Sequence, residues 1–323
     1  MLAQALQHTE RGPKIRLVPP HELILAVLLL VEIAVFCVIG RHFVSASNAF
    51  ELVRLSVEVG LLALAMTPVI VTGGIDLSVG SLISLSAVLF GKMFRDAGLP
   101  VGVAALLTLG VGAAGGLLNA ALITGLRLPP LIVTLGSFSL FRGLAEGLTG
   151  GSDSFMCPKS FLFLGEGAQI PIFAAVAAGF WILLHRSAIG RGLYAIGLSP
   201  EGARHAGIPV AKRVGLVYGL SGVIASLSAL IYVSRYTQAR ADAGTGYELL
   251  AITAVVLGGT SIFGGRGRIS GTLLGLFAIA VLERGMKLAD LGDQLAQILV
   301  GVLLLVALGA HAVLEKVSAR RVP

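Results

Sequence analysis

The sequence predicts an all-α, polytopic membrane helix bundle of about ten transmembrane or half-membrane segments. Three observations lead there. Hydrophobic residues make up 56% of the 323 and charged ones 13%, with a mean hydropathy of +0.93, the balance of a membrane protein rather than a soluble domain. Apolar runs recur near 22–40, 52–72, 77–95, 100–125, 130–149, 171–185, 213–233, 249–263, 269–284 and 294–310. One of the blocks, Gly244 to Thr272, is broken by glycines: neither of its apolar runs covers the ~20 residues that cross a bilayer.

Taken in order, residues 1–21 form a polar segment with Arg11, Lys14 and Arg16, expected in the cytoplasm. The apolar run that follows contains Glu32 and reaches Gly40 without an Ala-x-Ala site. It therefore reads as an uncleaved first helix rather than a signal peptide. Residues 22–310 form the transmembrane domain, and 311–323 a cytoplasmic tail. Cys37 lies in an apolar span and Cys157 in a polar loop, which argues against a disulfide or metal role.

Charge sets the orientation. Lys and Arg outnumber Asp and Glu by 24 to 17, a net +7. No basic run is interleaved with aromatics, so nucleic acid is a poor partner and anionic membrane lipid a better one. With both termini inside, ten segments place 186–212 in the cytoplasm, where Arg186, Arg191, Arg204 and Lys212 face one acid, Glu201. The Arg266/Arg268 turn falls on the same side, as the positive-inside rule requires.

The 186–212 loop has a readable shape. Ser199 suits an N-cap, Pro200 the first helical position, Gly207 a left-handed C-cap, and Pro209 prevents continuation. This predicts a short helix over Ser199, Pro200, Glu201, Gly202, Ala203, Arg204, His205, Ala206 and Gly207, too polar to span and suited to a docking partner. In the Gly244–Thr272 block, Gly258-Gly259 with Thr260 predicts a backbone break, read either as a re-entrant closure or as a translocation gate.

Asp76, in Gly-Gly-Ile-Asp-Leu-Ser, is a carboxylate at bilayer depth. Such a group faces an interior or water, or else caps the helix that follows, together with Ser78. Asn119, Thr134, Ser137 and Arg142 are candidate pathway residues on the same logic, with interhelical packing or interface anchoring as the alternatives. Gly110-x-Gly112-x-x-Gly115 matches a dinucleotide fingerprint but lies within an apolar span, and with Gly116 it reads as close helix packing. Gly219-Leu-Ser221-Gly222 matches an intramembrane serine-protease pattern, yet the only later histidine is His311, so a hydrolase is disfavoured. A secondary transporter would need more buried acids than Glu32, Glu58 and Asp76. No Gly-x-x-x-x-Gly-Lys-Ser/Thr motif is present, so any ATP must be hydrolysed elsewhere.

The chain resembles the membrane permeases of ribose-type sugar ABC importers, a group that also serves xylose, rhamnose, galactose and autoinducer. The resemblance rests on VIVTGGIDLSVGS at 69–81, Arg142-Gly143, Gly190-Arg191 with Tyr194-Ala195, Ala206-Gly207-Ile208, and GTGYELLAITAVVLGGTSIFGGRGRISGT at 244–272. It covers about 50–310. It implies a bacterial inner-membrane location and a second permease subunit, identical or paralogous. It also implies a pair of ABC ATPase subunits, which bind the ATP and Mg, and a periplasmic sugar-binding protein. No cofactor is implied on this chain, and no enzymatic activity. The 199–207 helix is then the coupling helix; Gly202 departs from the family's usual alanine, a change worth about 1 kcal/mol in helix strength. Permeases for branched-chain amino acids or nucleosides share the layout and are the alternative, but GTGYEL followed by VVLGGTS favours a sugar.

Overall fold

The computed structural model describes residues 20–149, 153–154, 159–292, 294–303, 305–306 and 309. Cys157, His311, most of the 1–21 segment and the 311–323 tail lie outside the described residues. The helices are α1 (Pro20–Ile39), α2 (Ala46–Val71), α3 (Val79–Gly91), α4 (Val101–Gly125), α5 (Pro130–Thr149) and α6 (Ser160–Arg186). They continue as α7 (Ala188–Leu198), α8 (Pro200–His205), α9 (Val210–Tyr236), α10 (Tyr247–Leu257), α11 (Ile269–Leu288) and α12 (Gln294–Leu303).

Among the described residues, seven helices are long and apolar enough to cross a membrane: α1, α2, α4, α5, α6, α9 and α11. The 26 residues of α2 rise about 39 Å, more than the ~30 Å hydrocarbon core. Shorter apolar helices stand beside them. α3 has 13 residues, prolonged by a π-helical turn at Lys92–Asp96, and α10 has 11, or about 16 Å. Where the sequence suggests an apolar run to 263, α10 stops at Leu257, because Gly258 is its C-cap and Gly259 turns left-handed at φ +86°.

The bundle has two distinct ends. At one, α7 packs on the end of α2 and the 258–268 turn, with α8 following it, and the start of α1 is tied to the end of α10: Gly265 N–H donates to Val71 O at 2.9 Å, and His21 Nε2–H to Leu257 O at 2.9 Å. At the other, Arg41 N–H donates to Leu288 O, and Asp153–Ser154 pairs antiparallel with Gln238–Ala239. Arg127, Arg186, Arg191, Arg204, Lys212, Arg213, Arg266 and Arg268 crowd the first end, with Glu22 and Glu201 as acids; bases at the second pair with acids, as in Arg41–Asp290, Lys92–Asp96 and Arg240–Asp242. The positive-inside rule makes the α7/α8 end cytoplasmic.

The core runs along α2 and α9, whose apolar windows are 78% and 67% buried against 17% for α1. Small residues bring these helices together. A Cβ on Gly116 would run into Tyr218 O, and one on Gly112 into Gly222 O and the Ser226 hydroxyl. Gly112 and Gly116 are therefore the contact of α4 with α9, as close packing requires, whereas Gly115 faces Leu82 and Phe141 and Gly110 meets nothing within 4 Å. Toward the periplasmic end, Arg235 and Glu58 are both buried and 2.8 Å apart, and Arg235 Nη1 also donates to Arg54 O at 3.1 Å. The π-turn Leu164–Ala168 of α6 has a local cause: Ser234 Oγ inserts into its ladder, accepting from Gly165 N–H and donating to Phe161 O, each at 2.8 Å.

Candidate translocation and coupling site

The polar residues singled out around Asp76 converge. Asp76 Oδ1 accepts the Ser78 hydroxyl at 2.6 Å and the Ser78 backbone N–H at 3.1 Å, and Oδ2 accepts the Ser221 hydroxyl at 3.0 Å. Asn119 Nδ2 donates to Ser78 Oγ at 2.8 Å, and Ser137 Oγ to Asn119 Oδ1 at 2.5 Å. Thr134 Oγ1 donates to Ile75 O at 3.0 Å. One network thus ties the 72–78 segment to α4, α5 and α9, and Asp76 is 2% exposed. Ser78 is the N-cap of α3 and makes no side-chain cap bond; Asp76 instead closes a turn onto Ser78. Gly74 leaves room for the buried Tyr218 hydroxyl, which a Cβ would approach to 2.5 Å.

Arg142 stands apart from this network. Its Nη1 donates to Ser84 Oγ at 2.6 Å and to Ala241 O at 2.5 Å, and Ser84 Oγ donates to Ala243 O at 2.5 Å. The connection after α9 therefore dips back between α3 and α5 before α10 begins. Gly244 and Gly246 take left-handed φ of +71° and +84°, which glycine alone adopts without strain. A Cβ on Gly80 of α3 would strike the Glu248 carboxylate and the Gly244 carbonyl. The dip and α10 together make one broken crossing, from the periplasmic end to the cytoplasmic end.

The glycine break lies at the cytoplasmic end of that crossing. Gly258 is packed so closely on α11 that a Cβ would sit 2.5 Å from Gly271 O and 2.6 Å from Thr272 N. The close approach is thus between two helices of one chain. Gly259 faces the His21 ring, and Thr260 is buried with no hydrogen-bond partner for its hydroxyl.

α8 carries the caps its sequence predicts. Ser199 Oγ accepts Gly202 N–H at 3.0 Å, with Pro200 in the first turn. Gly207 turns at φ +77°, with Gly207 N–H bonded to Arg204 O and Ile208 N–H to Ala203 O, a Schellman end. Ala203 is buried; Glu201, Gly202, Arg204, His205 and Ala206 are exposed. The preceding α7 fixes this helix to the core. Gly197 lies flat on Val71 O and on the Gly264–Gly265 backbone, and the Tyr194 hydroxyl donates to Gly267 O at 2.7 Å. Burial pushes the Tyr194 phenol up to about 12, against the opposing charge of Arg268, so it remains a neutral donor.

Sequence reasoning missed Ser84, Ser221, His21 and Tyr194 as partners. Small hydroxyls inside apolar spans were the available signal for the first two, since a serine there needs an acceptor nearby. Ser221, weighed as a nucleophile, instead donates to Asp76.

Helices of spanning length, a crossing broken by glycines and a capped helix on a basic face define a multi-pass transport subunit of the inner membrane. The chain belongs to the family described as branched-chain amino acid transport system / permease component, whose model matches residues 48–308. It is similar to the autoinducer 2 import system permease protein LsrD of Photorhabdus temperata, at 36% identity over 90% of this chain and 91% of that one. The protein of the same name from Yersinia enterocolitica is 36% identical, over 93% and 96%. No solved structure matches.

Proposed function

We propose that this chain is the membrane-spanning subunit of an ATP-binding-cassette importer that carries a sugar or sugar-like solute inward. Its ATP and Mg are bound by separate ATPase subunits, a second permease subunit completes the pathway, and a periplasmic sugar-binding protein delivers the solute. The observation that carries the proposal is the mechanical continuity of α8, α7 and the 264–267 turn: an exposed capped helix sits on a seam of backbone contacts leading to α10. A partner that pulls on α8 moves that seam. The similarity to autoinducer 2 permeases supports a sugar-like cargo, since their named solute is carried by an import system of this kind. The family description favours a second cargo, branched-chain amino acids.

Uptake by the assembled importer of labelled pentoses, hexoses and autoinducer 2, against leucine and valine, separates the two cargoes; uptake of leucine or valine alone overturns the sugar assignment. In the same assay, Glu201→Arg or Arg204→Glu is expected to abolish transport while leaving expression and membrane insertion intact. A cysteine at the exposed Gly202 should crosslink to the ATPase, whereas one at the buried Ala203 should not; labelling only from the outside would refute both topology and coupling role.

A further inference from the structure

A cavity of about 690 Å³ opens on the cytoplasmic face between α1, the end of α6, α7 and the 258–268 turn, a volume typical of ligand sites. Three guanidiniums line it: Arg191, Arg266 and Arg268. Arg191 makes one long bond, 3.5 Å to Ser187 O. Among the described residues, the Arg266 and Arg268 side chains make no hydrogen bond or ion pair. The acid in the lining, Glu22, is buried and already accepts the Ser270 hydroxyl at 2.6 Å. His21, His185 and Tyr194 are the other titratable groups of the lining; His21 is held on Leu257 O, His185 Nε2 accepts Ile269 N–H at 3.3 Å, and the Tyr194 hydroxyl is a neutral donor to Gly267 O. Among the described residues, three cations thus face one buried acid.

The rim identifies the kind of anion. The helix ends flanking the cavity expose large apolar side chains outward: Leu23 and Ile24 on α1, Trp181 and Ile182 on α6. The Arg186 guanidinium lies 5.1 Å over the Trp181 ring, an arrangement suited to the headgroup level of a bilayer. A soluble anion gains nothing from such a rim, and an acidic protein segment would leave it uncovered. A diacyl lipid uses both parts.

We propose that this cavity binds the phosphate headgroup of an anionic phospholipid, with the acyl chains along α1 and α6. Basic pockets between helices on the cytoplasmic side have the required chemistry. Gly258 and Gly259 form part of the wall, so the lipid also braces the break between α10 and α11. The site does not depend on which solute is carried.

The test uses the assembled importer in nanodiscs, with native mass spectrometry for retained lipid and the thermal unfolding midpoint as a second readout. Phosphatidylglycerol should be retained and raise the midpoint, and phosphatidylcholine should do neither. Each Arg→Gln change at 191, 266 or 268 should weaken phosphatidylglycerol roughly fivefold, and the triple variant about a hundredfold. Arg127→Gln, outside the cavity, should match wild type. If the triple variant does not fold, the single Arg266→Gln is read alone. Undiminished retention by the variants overturns the proposal. So does an equal midpoint shift from inorganic phosphate in phosphatidylcholine discs, which would mark a soluble-anion site. Protection of the three arginines from phenylglyoxal by the ATPase, unchanged by phosphatidylglycerol, would assign the cavity to protein docking and also overturn it.

Discussion

Gly197→Ala is the most direct test of the seam between α7 and the core. Gly197 lies within α7 with no positive φ, so alanine fits the backbone and the change isolates packing. Its Cβ would sit 3.1 Å from the Gly264 carbonyl carbon and closer still to Val71 O and Gly265 N, where ordinary contact begins at 3.4 Å. Those last two atoms are the partners of the 2.9 Å hydrogen bond that closes the turn onto α2. The seam must therefore open or the bond must break. Overpacking of this kind costs about 1–3 kcal/mol, and leaving a buried polar pair unmade about 1–3 kcal/mol more. A loss of about 2 kcal/mol already reduces the seated seam roughly thirtyfold. The expected outcome is an importer that assembles and hydrolyses ATP, with solute uptake at least tenfold slower. Uptake, ATPase rate and co-purification are measured together on the same membranes. Gly215→Ala is the control, because its Cβ meets nothing within 4 Å. Wild-type uptake by Gly197→Ala would refute transmission through this seam.

Two further outcomes follow from the site. Gly259→Leu forces a left-handed residue to carry a branched side chain, at about 1–2 kcal/mol, and drives it into the His21 ring; uptake should fall severely while the ATPase still co-purifies, and normal uptake would leave this stretch as ordinary packing. Asp76→Leu strands the Ser78 and Ser221 hydroxyls and a backbone N–H in the interior, costing at least about 3 kcal/mol, whereas Asp76→Asn keeps an acceptor for Ser78. Thermal scans in detergent should show a large drop for leucine and a small one for asparagine; equal midpoints would show that the network contributes little.

The spanning helices were legible because a crossing needs about 20 apolar residues and α4 and α9 supply them without interruption. α8 was legible because its caps are written in Ser199, Pro200, Gly207 and Pro209. The inner faces were not. A helix in lipid is apolar toward both its neighbours and the bilayer, so periodicity does not separate the two; the signal shifts to glycine and to isolated hydroxyls. Gly112 and Gly116 carried that signal and did pack a helix. The dip before α10 was hidden for another reason. Arg240 to Gly246 reads as an outward polar loop, and its Arg240–Asp242 pair does face solvent. What buries the segment is its backbone: the Ala241 and Ala243 carbonyls are taken by Arg142 and Ser84, and backbone acceptors leave no mark in a sequence.

That dip explains why a half-helix stands where a full crossing would be simpler. α10 is bounded at both ends by left-handed glycines, Gly246 at φ +84° and Gly259 at φ +86°, so it is joined to the chain by two hinges. At its cytoplasmic end the 264–267 turn rests on α7 through Gly197 and Tyr194. At its inner end Glu248 lies against Gly80 of α3, four residues past the Asp76 turn. A continuous helix of 26 residues anchored in both headgroup layers resists such a shift, because it must carry its whole packed length along. An 11-residue rod between hinges shifts with far fewer contacts at stake. Under the proposed coupling, force applied at α8 reaches the Asp76 network through this rod. The sequence therefore concentrates its glycines where α10 is jointed and its buried polar groups where the rod ends.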